Sequence, residues 1–304
     1  DGTIMAIGAR WNDGNGSNSG HVRVYEYTSG SWSQLGADID GEAAYDLSGH
    51  SVSLSSNGTI VAIGARFNGG NGTNAGHVRV YQYTSGSWSQ LGSDIDGEAS
   101  GDLSGNSVSL SSDGTIVAIG SRYNDGNGSE SGHVRVYEDS SGTWVQLGAD
   151  IDGEAAYDRS GYSVSLSSDG TIMAIGAYGN DGNGTDAGHV RVYEDSSGTW
   201  VQLGADIDGE AAGDYSGWSV SLSSDGSTVA IGALRNDGTA NMAGHVRVYE
   251  YSSGTWVQLG SDIDGEAAGD WSGCSVSLSS DGTILAIGAP YNDGNGSYAG
   301  HVRV

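Results

Sequence analysis

Two stretches near the start of the chain place side-chain oxygens at one-three-five spacing: Asp13, Asn15 and Ser17, then Asp38, Asp40 and Glu42. The second set recurs down the chain, for example as Asp206, Asp208 and Glu210. Alternate oxygen donors of this kind open many calcium loops, which makes Ca2+ the candidate cofactor. Neither stretch has the glycine at position six or the bidentate glutamate at position twelve that complete a helix-flanked calcium loop. The competing reading is that Asp, Asn and Gly are simply turn formers that tolerate left-handed backbone.

The first loop also reads Asn-Gly-Ser or Asn-Gly-Thr in five of its six copies, so Asn15, Asn71, Asn127, Asn183 and Asn295 are candidate glycan acceptors, with Asn57 a further one in a hairpin. The copy that departs reads Thr239-Ala240-Asn241. Each unit carries Gly-His-Val-Arg, and on a strand His and Arg at i and i+2 share a face. Six histidines in register suggest metal, but each is one unit from the next and has a guanidinium beside it. Pairing of His and Arg with acidic neighbours in the next strand or unit is the favoured reading. No nucleophile–base constellation is visible: there is no lysine, and Cys274 is the single thiol. What varies between copies is aromatic. Trp11, Tyr123, Tyr162, Tyr215, Trp218, Trp271 and Tyr291 flank the two acidic loops at positions where other copies carry unlike residues, and they form a candidate ligand rim.

The elements that must position these residues come from a strict repeat. The 304 residues hold five 56-residue units plus 24 residues, without insertion or deletion, and the whole of 1–304 is read as a single repeat domain, incomplete at each end and continuing beyond this chain. Within one unit, Ser163–Ser167 alternates with period two and reads as a short strand. Asp169-Gly170 marks a tight hairpin. Residues 172–177 form a nearly continuous apolar run too short for a helix, hence a strand buried on both faces. Residues 189–194 alternate again, and Trp200–Leu203 starts a fourth strand. Residues 206–214 read as a connection. Four short antiparallel strands per unit, repeated and without any helical period, predict an all-β chain folded as a β-propeller of four-stranded blades.

Ser272-Gly273 before one strand and Ile287-Gly288-Ala289-Pro290 at the end of the next resemble the FG-GAP repeat of integrin α-type propellers. The resemblance extends to every unit, although Gly-Ala-Pro occurs once and the other copies end Gly-Ala-Arg, Gly-Ser-Arg, Gly-Ala-Tyr or Gly-Ala-Leu. It implies blades whose first strand is innermost and a usual count of seven. The present chain supplies strands for about six, the first blade lacking its innermost strand and the last its outermost. The family's Asp-rich calcium loop is here reduced to Ser-Ser-Asp-Gly-Thr, so that particular site is not implied. Both termini carry the same two strands, which makes simple ring closure doubtful.

A formal net charge of −27, with 38 acidic residues against 11 arginines, excludes nucleic acid and speaks against an anionic membrane surface. No run is apolar and long enough to insert in a membrane. The expectation from sequence is an extracellular or cell-surface protein that is not an enzyme: a structural or adhesive propeller, forming filaments or matrix by self-association or by binding matrix or glycan partners. The alternative is an integrin- or lectin-like recognition propeller that uses the aromatic rim.

Overall fold

The computed structural model describes residues 2–304 and contains strands and turns without a helix among them. The first sheet is β1 (Ile4–Ala9), β2 (His21–Thr28) and β3 (Ser31–Gln34), with the two-residue β4 (Ile39–Asp40) pairing with β2. The second is complete: β5 (Ser51–Leu54), β6 (Ile60–Ala65), β7 (His77–Thr84), β8 (Ser87–Gln90) in that order, with β9 (Ile95–Asp96) paired to β7. Complete sheets of the same order follow from Ser107, Ser163 and Ser216, and a three-stranded sheet of Ser275–Leu278, Leu285–Ala289 and His301–Arg303 ends the chain. All sheet pairs are antiparallel. The six sheets are the blades of a β-propeller, as the repeat predicted. The first blade lacks an inner strand and the last an outer one. The small fifth strand is a departure: residues predicted as connection pair with the third strand, His77 opposite Asp96 and Val78 opposite Ile95.

Blades pack through the alternating apolar residues. Val61 and Ile63 of β6 bury against Val22, Val24 and Ile39 of the preceding blade, and the same cluster recurs at each interior interface. Burying such a side chain fully is worth about 1.5–3 kcal/mol, and no four-stranded sheet could hide both of its faces alone. An indole pins each interface: Trp88, Trp144, Trp200 and Trp256 donate Nε1–H to the carbonyls of Leu35, Leu91, Leu147 and Leu203, one blade back, at 2.8–3.0 Å. Trp32 makes no such bond among the described residues and is 44% exposed. At the ends of the array, Ile7 and Val302 stand 45% and 67% exposed, whereas their interior equivalents Ile63 and Val78 are buried.

Close approach of backbone sets the inner ring. Gly64 at the end of β6 lies so near the carbonyl of Gly105 that a Cβ there would sit 2.2 Å from the oxygen. The missing side chain lets Ser51 Oγ donate to the Gly105 carbonyl at 2.8 Å. The residue after the carbonyl-bearing partner glycine, His50 after Gly49 and Asn106 after Gly105, is thereby carried to the inner end of each blade.

Candidate functional site

One face of the propeller gathers the residues that break the repeat. Three segments of each blade meet there: the residues just before the innermost strand, those just after the second strand, and the hairpin loop that follows. At the first position stand His50, Asn106, Tyr162, Trp218 and Cys274; at the second stand Arg10, Arg66, Arg122, Tyr178, Leu234 and Pro290.

The guanidiniums and the imidazole form one half of the mouth. Arg10 Nη1 donates to His50 Nδ1 at 2.9 Å, and Arg66 Nη1 donates to Asn106 Oδ1 at 3.3 Å. Since a guanidinium cannot accept, Nδ1 of His50 must, and its proton sits on Nε2. Burial, then Arg66, Arg10 and Arg122, depresses His50 to about 3, so the ring is neutral at physiological pH. Burial and then Arg122 and Arg10 pull Arg66 down to about 10. Arg122 lies over Tyr123 at 4.6 Å and over Tyr162 at 5.4 Å. Among the described residues, no carboxylate is ion-paired to Arg10, Arg66, Arg122 or Arg235. The buried Nε atoms of Arg66, Arg122 and Arg235 have no hydrogen-bond acceptor. In a chain with 38 acidic residues, guanidiniums without counter-charge mark a place prepared for an external anion or a developing oxyanion.

The other half of the mouth is aromatic. Tyr162 contacts Trp218 (centroids 4.4 Å) and Tyr178 (4.6 Å), while Tyr178 touches Tyr215 and Trp218. Arg159 donates to the Tyr178 hydroxyl at 2.6 Å and pairs with Glu130 at 3.4 Å. Arg235 covers Tyr215 at 4.4 Å and reaches Trp271 at 5.9 Å, and Trp271 packs edge-on to Tyr291. The inner strand of this blade, Ser216–Leu222, shifts register between Ser216 and Ser219, a bulge that turns Trp218 into the mouth. Of the aromatic residues singled out in the sequence, Tyr123, Tyr162, Tyr215 and Trp218 converge. Trp271 and Tyr291 join them through Arg235. Trp11 stands apart, 60% exposed beside Arg10, on a recess of about 600 Å3 that reaches His50.

Arg10, Arg66, Arg122 and Tyr178 were not anticipated. Two signals in the sequence point to them. Six of the 11 arginines are the repeating strand arginine, and the remaining five, Arg10, Arg66, Arg122, Arg159 and Arg235, all lie on this face. Arg10, Arg66, Arg122 and Tyr178 are also the residues that replace the proline of Gly-Ala-Pro.

The acidic loops lie outside this mouth, and their donors divide differently from the sequence spacing. Asp13 Oδ1 accepts the Asn18 N–H at 2.7 Å, and Asn15 Nδ2 donates to the carbonyls of Gly41 and Glu42, while Ser17 gives its carbonyl to the Tyr45 N–H. These three tie two loops together; they do not converge on a point. Asn71, Asn127 and Asn183 make the same bonds as Asn15, through the nitrogen that a glycan would occupy. Thr239, in the copy without a sequon, donates to the equivalent Gly265 carbonyl at 2.9 Å. Asn57 caps its hairpin through Oδ1, and Asn295 is exposed.

Asp38 and Asp40 come together with His21, but Asp38 is held by Arg23 in a two-bond pair, and that guanidinium draws it down to about 2. Glu42 turns to His77 and Asp94 of the next blade, Asp206 to His189 and Glu154, and Glu210 to His245 and Asp262. Asp208 gives its carbonyl to Arg247, and a half-buried side chain crowded by Asp206 holds its carboxyl above the usual range. The strand His and Arg thus pair with acidic groups across blades. The resulting His/Asp/Glu clusters could hold a metal ion.

A family model described as the FG-GAP repeat matches residues 150–193 and 263–304. A search of curated proteins finds no match. Solved structures do match. A Pseudomonas aeruginosa periplasmic gluconolactonase is similar over 93% of this chain and 75% of its own, at 18% identity and a TM-score of 0.62. A Bacteroides uniformis protein described as a candidate 6-phosphogluconolactonase is similar over 99% of this chain and 83% of its own, at 14% identity and a TM-score of 0.63. At such identities the likeness establishes fold. It also overturns the sequence expectation of a protein that is not an enzyme, whether structural and adhesive or, as the alternative, a recognition propeller: proteins described as lactonases share this architecture along nearly the whole chain. Near-identity of the strands had concealed how unlike the blades are at the channel mouth, where a catalytic surface needs only a few residues. Two stretches of this chain match the FG-GAP repeat, and they lie in a six-bladed, all-β propeller.

Proposed function

We propose that the chain is an exported hydrolase that opens the cyclic ester of a sugar acid at the guanidinium-lined mouth of its channel. The observation that carries this is the set Arg10, Arg66 and Arg122, partly buried, without carboxylate partners, beside a neutral His50. Lactone hydrolysis adds water to an ester carbonyl, passes through a tetrahedral oxyanion, and breaks the bond from carbonyl carbon to ring oxygen. Preorganised guanidiniums stabilise the oxyanion in a site of low dielectric. The nucleophile is water, whose proton leaves to solvent. The ring oxygen departs as an alkoxide that accepts a hydrogen bond from His50 Nε2–H and takes its proton from solvent water to become the hydroxyl. The product is a hydroxy acid, whose carboxylate the same arginines hold until release. The Tyr162–Tyr178–Trp218 wall offers flat apolar faces to the carbons of a sugar ring. The two lactonase-described proteins of this fold support the substrate class, and the periplasmic setting of one supports export.

The test is hydrolysis of glucono-δ-lactone, followed in a pH-stat at pH 6.5 against a buffer blank. A protein-dependent rate lost in Arg66→Gln is expected. A rate equal to the blank for correctly folded protein overturns the proposal.

A further inference from the structure

The interfaces between blades carry a second constellation, independent of the lactone reading. Take the interface at His189. Its ring is 1% exposed, and neither Nδ1 nor Nε2 has a hydrogen-bond partner. Nδ1 points at two carboxylates contributed by different blades, Glu154 Oε2 at 3.9 Å and Asp206 Oδ2 at 3.8 Å. Each carboxylate has its other oxygen engaged: Gln202 Nε2 donates to Asp206 Oδ1 at 2.6 Å, and Arg191 Nη1 faces Glu154 Oε1 at 3.6 Å. The three free donor atoms lie within 4.8 Å of one another. Secondary partners that fix the outer oxygen and turn the inner one toward a point are how proteins orient metal ligands.

We propose that this is a divalent transition-metal site of the zinc class, Glu154–His189–Asp206, repeated at the blade interfaces centred on His77, His133 and His245. Tetrahedral zinc with ligands at about 2.0–2.2 Å sets its donors roughly 3.4 Å apart. The His189 Nδ1 separations from Glu154 and Asp206, 3.9 and 3.8 Å, need to close by about half an ångström. An imidazole with two carboxylates suits zinc, cobalt or manganese, and is a poor set for calcium, which takes oxygen donors. Burial deprives a cationic His189 of solvation, so Arg191 at Glu154 is the one positive charge facing the two carboxylates, and a bound dication supplies the remainder. The glutamates are 43–44% exposed on their side chains, which leaves an entry path from solvent. The cluster of His21 with Asp38 and Asp40 differs, because Arg23 already occupies both oxygens of Asp38.

The experiment uses the full chain, stripped with chelator and titrated with Zn2+ by calorimetry, with Co2+ absorption as a second readout. Four equivalents of Zn2+ are expected, matching the four cross-blade triads, along with a tetrahedral Co2+ spectrum. His189→Gln should bind three. Asp206→Asn, a change at a partly exposed side chain, should also bind three and guards against a folding defect in the first variant, with circular dichroism confirming fold in both. Absence of Zn2+ binding, binding of Ca2+ alone, or unchanged stoichiometry in both folded variants overturns the proposal.

Discussion

Arg66→Gln removes a charge that the fold holds at a cost, so it should damage function without damaging stability. In the folded chain Arg66 is drawn well below the usual guanidinium value, to about 10, by burial and by Arg122 and Arg10. At neutral pH the group is charged in both folded and unfolded states, so the whole cost of that shift is present. That lowering corresponds to about 3.4 kcal/mol as an upper bound. The side chain is only partly buried, and screening reduces the cost to about 1–1.5 kcal/mol. Against this, the substitution loses a long hydrogen bond to Asn106, about 0.5 kcal/mol, and a contact over Phe67, about 0.5 kcal/mol. The net expectation is a variant between equal stability and about 0.5 kcal/mol more stable than the parent. Arg191→Gln is the control. That guanidinium is 6% exposed, donates to the Asp152 carbonyl at 2.7 Å and faces Glu154. Removing it should cost about 2–4 kcal/mol by leaving buried partners unsatisfied. Urea denaturation of all three proteins at pH 7.5, in low and high salt, makes the comparison. Salt should stabilise the parent more than Arg66→Gln, because it screens the repulsion among Arg10, Arg66 and Arg122. An Arg66→Gln protein destabilised by more than about 1.5 kcal/mol, or an equal response to salt, would refute the idea that these arginines are electrostatically strained.

Other outcomes follow from particular contacts. Trp200→Phe should cost about 1–2 kcal/mol by losing the bond to Leu147, whereas Trp32→Phe, at an exposed indole without that bond, should be nearly neutral in the same assay. Asn127→Thr should stay within about 0.5 kcal/mol of the parent, since Thr239 makes the equivalent bond, while Asn127→Ala should lose about 1 kcal/mol; equal losses would show the loop latch to be unimportant. His50, held at about 3, stabilises the fold above its unfolded pKa of about 6.5, and that stability is lost progressively as pH falls from 6.5 toward 3. Between pH 7.5 and 5.5 the parent should therefore lose about 1 kcal/mol more than His50→Gln, and parallel pH profiles would refute the assignment.

Much of the scaffold was legible because its physical causes are local. The alternation of Ser163–Ser167, the Asp-Gly hairpin and the apolar run from Ile172 each depend on a few neighbouring residues, and the 56-residue period then dictates stacking. The pairing of Ile95–Asp96 with β7 was not legible, since a two-residue strand has no period to read. The site was half legible. Positions 50 and 47 and their equivalents were marked by variation, and the aromatic residues among them do meet at the mouth. The one-three-five spacing misled, because it assumes that Asp38, Asp40 and Glu42 share one centre. The chain between them turns, and Glu42 joins His77 one blade away. The arginines were missed because each looks like an ordinary exception to Gly-Ala-Pro. Only the ring of blades brings Arg10, Arg66 and Arg122 to one place, and only the absence of any carboxylate beside them gives the cluster a purpose.

The most direct test of the central claim is the rate of lactone opening by the parent, Arg66→Gln and the double variant Arg66→Gln/Arg122→Gln, all shown to be folded. Removal of one oxyanion-stabilising donor typically costs about 100- to 1000-fold in turnover. The account predicts protein-dependent hydrolysis of glucono-δ-lactone by the parent, a loss on that order in Arg66→Gln, and a further loss in the double variant. Hydrolysis that both variants retain in full, or a parent no faster than buffer, would contradict it.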